Sequence, residues 1–486
     1  MNDIVLEVVK NKGNLRTDCG LEDTSSKSEK MVELMKKRFT ISNGSSSVTV
    51  PLSEENWCTA HKLNPLFKSE TNFNETELLI SFLQFSIKSG ELSLSSEWFN
   101  FLKSSQFNGN NPHFELPRQL ATFSLPKALR IFYEATESLS GGTINSARSA
   151  FLIDNKVKAL GVFGGQACSE DLLAELQEIV DTYGPLVEPL FNQLANLLKQ
   201  LGEDHETAEL YMKGFDITGW LSQSSDQWPA KQYILSAPIS LPLVGLIQLL
   251  NYYVLFKSLE VSPGELCGRF AGAGVTGHSQ GIVVATVVAL SKTEKDFIRG
   301  AEDALKLLFL IGVEAQLATK QTTLAASSIK DSVDGEEGVP SPMLAVTGLP
   351  RTIIEAKINE LDLASSETIS IGLRNGINSF VCCGPVESLY SLVLVLRQIR
   401  AVPTDDQSRV PFNERKMRFN MLFLPISAPF HCVLLSKAVQ LIVSKASACT
   451  SSFSDDPQPQ CPVFHTQTGT CIVLHFYTYL LILTLI

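Results

Sequence analysis

The stretch GVTGHSQGIVVATVVAL, Gly274 to Leu290, holds a serine between two glycines, Gly277-His278-Ser279-Gln280-Gly281, followed at once by small and β-branched apolar residues. A hydroxyl at a sharp strand-to-helix turn is held away from the chain, glycines on either side let backbone pass close to a bound group, and the helix start faces a reacting carbonyl. The Gln280 N–H then points where an oxyanion develops. Taken alone, the pattern also fits an ordinary serine in a tight turn. The overlapping Gly272-x-Gly274-x-x-Gly277 spells a dinucleotide fingerprint, but no strand ending in an acid follows about 20 residues on, where Glu294 and Asp296 are expected in a charged loop. Ile282, Val283, Val284 and Val287 are expected to form a buried helix, burial overriding their low helix propensity.

The same plan occurs upstream. VKALGVF, from Val157, is a short apolar run suited to a buried parallel strand, and it ends in Gly164-Gly165-Gln166. Ser169 can cap a helix with Glu170 and Asp171 in its first turn and Leu172, Leu176, Ile179 and Val180 facing inward. A nucleophilic serine needs a base, and His278, His431 and His465 are the candidates. His278 adjoins Ser279 in sequence, so its side chain should point away from its neighbour. His431, in LPISAPFHCVLL, follows the last expected strand of the inserted segment, precedes a helix and can fold back over the first domain.

Between Met343 and Leu424 the order of elements is βαββαβ: MLAVTGL, RTIIEAKINEL, SIGLRNG, SFVCCGP, ESLYSLVLVLRQIR, MRFNMLFL. That order belongs to a ferredoxin-like subdomain. Ser327 to Pro342 reads as a linker before it, and SFSDDPQPQCP as a second linker before a strand-like CPVFH. Toward the N-terminus, residues 1–37 are expected to be disordered. RFTISNGSSSVTVPL suits a hairpin turning at Asn43-Gly44, and 38–150 a mostly helical region in which Asn74 and Glu77 form a capping box. The run CIVLHFYTYLLILTLI, residues 471–486, carries no charge, but at about 1.5 Å per residue it falls short of the roughly 20 residues that span a bilayer. It is set aside as foreign to the fold.

The 486 residues are 44% apolar and 19% charged with a net charge of -11, an ordinary globular balance that argues against nucleic-acid binding, which needs surplus Lys and Arg. The ten cysteines form no CxxC pair and the seven histidines no HExxH spacing, so no metal site is expected. Residues 1–30 carry no secretory pattern, and a cytoplasmic setting with no membrane partner is expected.

Four motifs occur in one order: Val162-Phe163-Gly164-Gly165-Gln166, Gly277 to Gly281, Asn375-Gly376-Ile377-Asn378-Ser379-Phe380-Val381, and Ala428-Pro429-Phe430-His431. In that order they resemble the acyl-carrier-protein acyltransferases. GHSQG with SPGEL upstream and GPVESLYSLVLVLRQIRA downstream is similar to the acetyltransferase region of the fungal type I fatty acid synthase β subunit and to fungal starter-unit transacylases. The resemblance covers about residues 38–470 and implies an α/β fold: an α/β-hydrolase-like parallel-sheet acyltransferase domain with an inserted ferredoxin-like subdomain, preceded by a mostly helical N-terminal region. The corresponding segments are 151–342 for the large subdomain, 343–424 for the small one and 425–470 for the return to the large one.

The resemblance further implies that Ser279 attacks acetyl-CoA with His431 as general base, and that the N–H groups of Gln166 and Gln280 hold the oxyanion. The acyl group then passes to the phosphopantetheine of an acyl carrier protein, with no cofactor bound permanently. Matching ALKLLFLIGVEAQLA, from Ala304, to the family helix puts Ile311 where malonyl-specific members carry an arginine. A malonyl carboxylate would be buried there unpaired, so an uncharged acyl group is expected. Asn375 and Asn378 fall at substrate-binding positions. Partners implied are the carrier protein, the fatty acid synthase α subunit and the remaining β-subunit domains. The basic stretch with Arg409, Arg415, Lys416 and Arg418 is a docking candidate for an acidic carrier.

Cys432, where serine is usual, and Cys168 depart from the family pattern and are expected as small core residues. The family continues after Gly469 through a strand and a glycine-rich segment, and the β subunit through reductase, dehydratase and malonyl/palmitoyl transferase regions; the chain is therefore expected to be a truncated piece. Two rivals stand beside the transferase: a serine esterase or thioesterase, which needs an acid to orient its histidine, and an inactive scaffold fragment.

Overall fold

The computed structural model describes residues 5–10, 37–43, 46–51, 159–166, 171–204, 207–270, 272–319, 324–401, 407–411, 414–449 and 459–472. The helices expected over 38–150, the Asn74–Glu77 capping box, Cys168, Ser169, Glu170 and the apolar run from Val473 lie outside them. The chain divides into two compact units, Met1–Ile153 with Glu178–Glu188 and Lys257–Glu260, and Asp154–Gln177 with Pro189–Phe256 and Val261–Ile486.

In the first unit, β1 (Val5–Lys10), β2 (Lys37–Asn43) and β3 (Ser46–Pro51) form an antiparallel sheet in that order. Asn43 lies opposite Ser46, so two residues close the hairpin expected there. The disorder expected over 1–37 does not extend to Val5–Lys10, which pairs with β2.

Strand β4 (Gly161–Phe163) opens the second unit, and the long α1 (Leu172–Gly202) follows it in the chain. Asp171 is the residue before α1, without a side-chain cap bond, and Glu175 is the acid of its first turn; Leu172 and Leu176 are buried, whereas Val180 is only half-buried. Next come α2 (Ala237–Ser258), α3 (Pro263–Gly268), β5 (Val275–Gly277), α4 (Gly281–Leu290) and α5 (Glu294–Ala318). Glu294 and Asp296, expected in a loop, instead open α5, because Thr293 and Asp296 form a reciprocal capping box.

Strand β5 lies between β4 and the late β10 (Val463–Phe464), both parallel to it. As an edge strand β4 leaves Val162 65% exposed, unlike the fully buried strand expected from its apolar run. All ten residues of α4 are buried against β4, β5 and α5, which is why β-branched side chains hold a helix there. Helix α2 is long and apolar enough to cross a membrane, yet 83% of its apolar window is buried inside the protein. Pro242 within α2 cannot donate to the Pro238 carbonyl, and the buried Tyr211 hydroxyl donates to that carbonyl instead, at 3.2 Å.

The ferredoxin-like order is present: β6 (Met343–Thr347), β7 (Ser370–Gly376), β8 (Ser379–Cys383) and β9 (Asn420–Phe423) form an antiparallel sheet ordered β7-β8-β6-β9. Helix α6 (Ala326–Asp334) precedes the sheet, and α7 (Arg351–Asn359) and α8 (Val386–Ile399) follow β6 and β8. Leu344, Phe380, Leu392 and Phe423 belong to its core. The linker expected from Ser327 to Pro342 is built structure. After α6, Glu337 is fully buried and meets Arg397 at 2.6 Å and Arg400 at 2.8 Å, its charge offset by two guanidinium groups that a composition-based reading does not see. Helix α9 (Ser436–Cys449) then packs on α5.

Candidate active site

Register puts the two turns side by side: Phe163 pairs with Gly277, and the Phe163 carbonyl accepts the His278 N–H at 2.8 Å. A Cβ on Gly281 would overlap the Phe163 and Gly164 carbonyls, so only glycine lets α4 start this close to the first turn. Ser279 sits between β5 and α4 at φ 52°, a left-handed conformation that non-glycine residues adopt under constraint.

Opposite it, His431 is also left-handed, at φ 60°, and its Nε2 lies 2.9 Å from Ser279 Oγ. The imidazole is 8% exposed. Burial first, and then the nearby His278, push it down to about 4, so it is neutral at physiological pH and Nε2 is free to accept the serine proton. A hydroxyl donating to a neutral buried imidazole is equipped for nucleophilic attack. Among the described residues no carboxylate hydrogen-bonds His431.

Strand β7 lines this pair from the small subdomain. Its register against β8 skips once between Ile371 and Leu373 and again between Arg374 and Gly376, leaving Gly372 and Asn375 as extra, bulged residues. A Cβ at Gly372 would stand 2.8 Å from the His431 carbonyl and 2.7 Å from Cys383 Sγ, so the strand reaches the histidine only because that position lacks a side chain. Asn375 Oδ1 is 3.3 Å from His278 Nε2, which ties the His278 ring to β7. Cys432 is buried, its thiol 3.6 Å from Ser370 Oγ at the start of the same strand.

Ser279 and His431 are brought together, Gln280 adjoins the serine in the chain, and Asn375 meets His278. Gln280 is 2% exposed, both its side-chain amide atoms lack a partner, and its N–H has no backbone acceptor among the described residues. Gln166 closes the neighbouring turn, and its side chain runs away to Ser240. Asn378 sits in the β7–β8 turn, where its carbonyl accepts the Gly348 N–H at 2.7 Å, and no described side-chain bond links it to the serine or histidine. Ile311 is buried in α5. His465 turns to Thr468 at 3.1 Å. Arg409, Arg415, Lys416 and Arg418 are exposed, and Arg415 braces its own loop by donating to the Val410 carbonyl. Sequence reading missed Gly372, because a bulge leaves no periodic trace; the glycine inside a strand pattern was the available signal.

Parallel strands ending in two glycine turns, a left-handed serine at the start of a buried helix, and a histidine arriving after an inserted ferredoxin-like unit define a serine-dependent α/β acyltransferase fold. Residues 161–416 match the family described as "Starter unit:ACP transacylase in aflatoxin biosynthesis", and the chain belongs to that family. It is 40% identical over 313 residues to a fatty acid synthase subunit β of Schizosaccharomyces pombe, covering 64% of this chain and 15% of that one. A fatty acid synthase subunit β of Saccharomyces cerevisiae is 38% identical over 329 residues, covering 67% and 16%. The matched region thus spans about one sixth of those relatives. Among solved structures, the protein named MCAT from Streptococcus pneumoniae aligns at TM-score 0.42 and 19% identity over 68% of this chain and 81% of its own.

Proposed function

We propose that the chain transfers an acetyl starter group from CoA to the phosphopantetheine thiol of an acyl carrier protein through an acyl-Ser279 intermediate. The observation that carries this is the 2.9 Å contact between the left-handed Ser279 hydroxyl and the neutral, buried His431. Ser279 Oγ attacks the thioester carbonyl as His431 Nε2 takes its proton, and the tetrahedral oxyanion lies against the Gln166 and Gln280 N–H groups. The CoA sulfur leaves with the proton returned by His431. The carrier thiol then gives its proton to His431, attacks the acyl-serine ester, and Ser279 recovers the proton as it departs.

The match to a transacylase family favours a transferase over an esterase. An isoleucine at 311 favours an uncharged acyl group over malonyl. The wider setting proposed is cytoplasmic, within an assembly of α and β fatty acid synthase subunits. No resident cofactor is needed, and the exposed basic loop around Arg415 is available to an acidic carrier.

Incubating the full chain with acetyl-, malonyl- or hexanoyl-CoA and weighing the intact protein tests this. An acetyl adduct on Ser279, absent in Ser279→Ala and discharged faster by a pantetheine thiol than by water, is the expected result. Faster discharge to water indicates a hydrolase, and no adduct indicates a scaffold.

A further inference from the structure

We propose that Ser240 and Gln248 on α2 are positioning residues that hold the Gly164–Gln166 turn, and with it the Gln166 N–H, in place for the developing oxyanion. Apart from a few polar side chains α2 is apolar and buried, and two of those few reach the same turn. Gln248 Nε2 donates to the Gly164 carbonyl at 2.8 Å, and Gln166 Nε2 donates to Ser240 Oγ at 2.6 Å. Eight residues of helix separate the two anchors by about 12 Å and about 80° around its axis. A turn of three residues is shorter than that, by about half, and the long Gln166 side chain makes up the difference. Gln166 thus divides its work: the side chain is a tether to α2, and the main chain faces the reaction.

The same helix holds the other half of the site. The Ala237 N–H at its start donates at 2.8 Å to the Oγ of Ser427, four residues ahead of His431 in the chain, and Ser427 in turn donates to Gln316 Oε1. Both the oxyanion turn and the histidine loop therefore take their position from one rigid rod. Gln248 Oε1 is buried with no partner among the described residues, so an apolar side chain of the same length gives up only the bond to the Gly164 carbonyl.

The inference rests on the reading of Gln166 as an oxyanion donor, and the test separates the two. Single-turnover acylation of the full chain by acetyl-CoA is followed in wild type, Gln248→Met, Ser240→Ala, Ser240→Thr, Gln166→Ala and the Ser240→Ala/Gln166→Ala pair. In Gln248→Met and Ser240→Ala the acylation rate at saturating acetyl-CoA should fall roughly 10- to 100-fold, with half-saturation and the amplitude of acylated protein unchanged. Ser240→Thr should recover the rate, and the double variant should be no slower than either single one, since both remove one contact. Wild-type rates in Gln248→Met and Ser240→Ala, additive losses in the pair, or a loss of amplitude in place of rate would overturn the positioning role while leaving acylation of Ser279 standing. A wild-type chain that takes no acyl group on Ser279 would overturn both.

Discussion

His431 is held neutral by burial, and this has consequences on both sides of its chemistry. Its Nε2 can accept a proton only while unprotonated, so the acylation rate should persist below pH 6 and fall as pH approaches about 4, instead of falling near 6.5. Stability carries the matching sign. Between 6.5 and about 4 the unfolded chain takes up a proton that the folded one refuses, so stability should decline as pH falls through that window, by about 3 kcal/mol in all. Denaturant melts at stepped pH check this, and His431→Gln should flatten the slope. Gly372 belongs to the same scale. A methyl there would press on the His431 carbonyl and Cys383, and Gly372→Ala should slow acylation roughly 10- to 100-fold with the protein still folded, read by acyl-enzyme formation and a thermal melt. Ser279 and His431 were legible because nucleophile and base are chemically restricted residue types in recognisable surroundings. Gly372, Ser240 and Gln248 were not, because each matters through a neighbour that folding alone supplies.

At the level of elements, periodicity and punctuation served well for the βαββαβ unit and for the strand-turn-helix around Ser279, where apolar runs end in glycine. They failed between Ser327 and Pro342, where Gly, Ser and Asp suggested a linker. There α6 and the buried Glu337 anchor the small subdomain through Arg397, Arg400 and the Phe423 N–H, which donates to the Glu337 carbonyl at 2.7 Å. Removing that carboxylate leaves Arg397 with Asp331 alone and takes from Arg400 its carboxylate partner. Glu337→Ala should cost about 1–3 kcal/mol, visible as a lower urea midpoint. A midpoint within error of wild type would return the segment to the status of a tether. Helix α2 shows the opposite limit of composition: by hydropathy alone it passes for a membrane span, and only its packing reveals a core helix with a proline whose orphaned acceptor Tyr211 satisfies.

Across the whole molecule, the parallel sheet is assembled from segments far apart in the chain. β10 joins β5 from nearly two hundred residues downstream, with the Val275 N–H on the Pro462 carbonyl, Thr276 Oγ1 donating to the Phe464 carbonyl and the Gln460 N–H on the Ala289 carbonyl; Cys267 and Cys461 lie 3.2 Å apart beneath it. Ending the chain after residue 458 strips β5 of one neighbour and should abolish acylation and cooperative melting together. A truncated chain that still acylates would show that β10 is dispensable. No local signal marked this pairing, since two short strands carry little pattern and their partner is set by topology. The double irregularity of β7 acts at this scale too. As the outer strand of its sheet, β7 would offer any passing polypeptide a template for aggregation, and kinks at two of its seven residues deny that intruder a continuous ladder. The contour that seats a histidine thereby also guards the molecule's solubility.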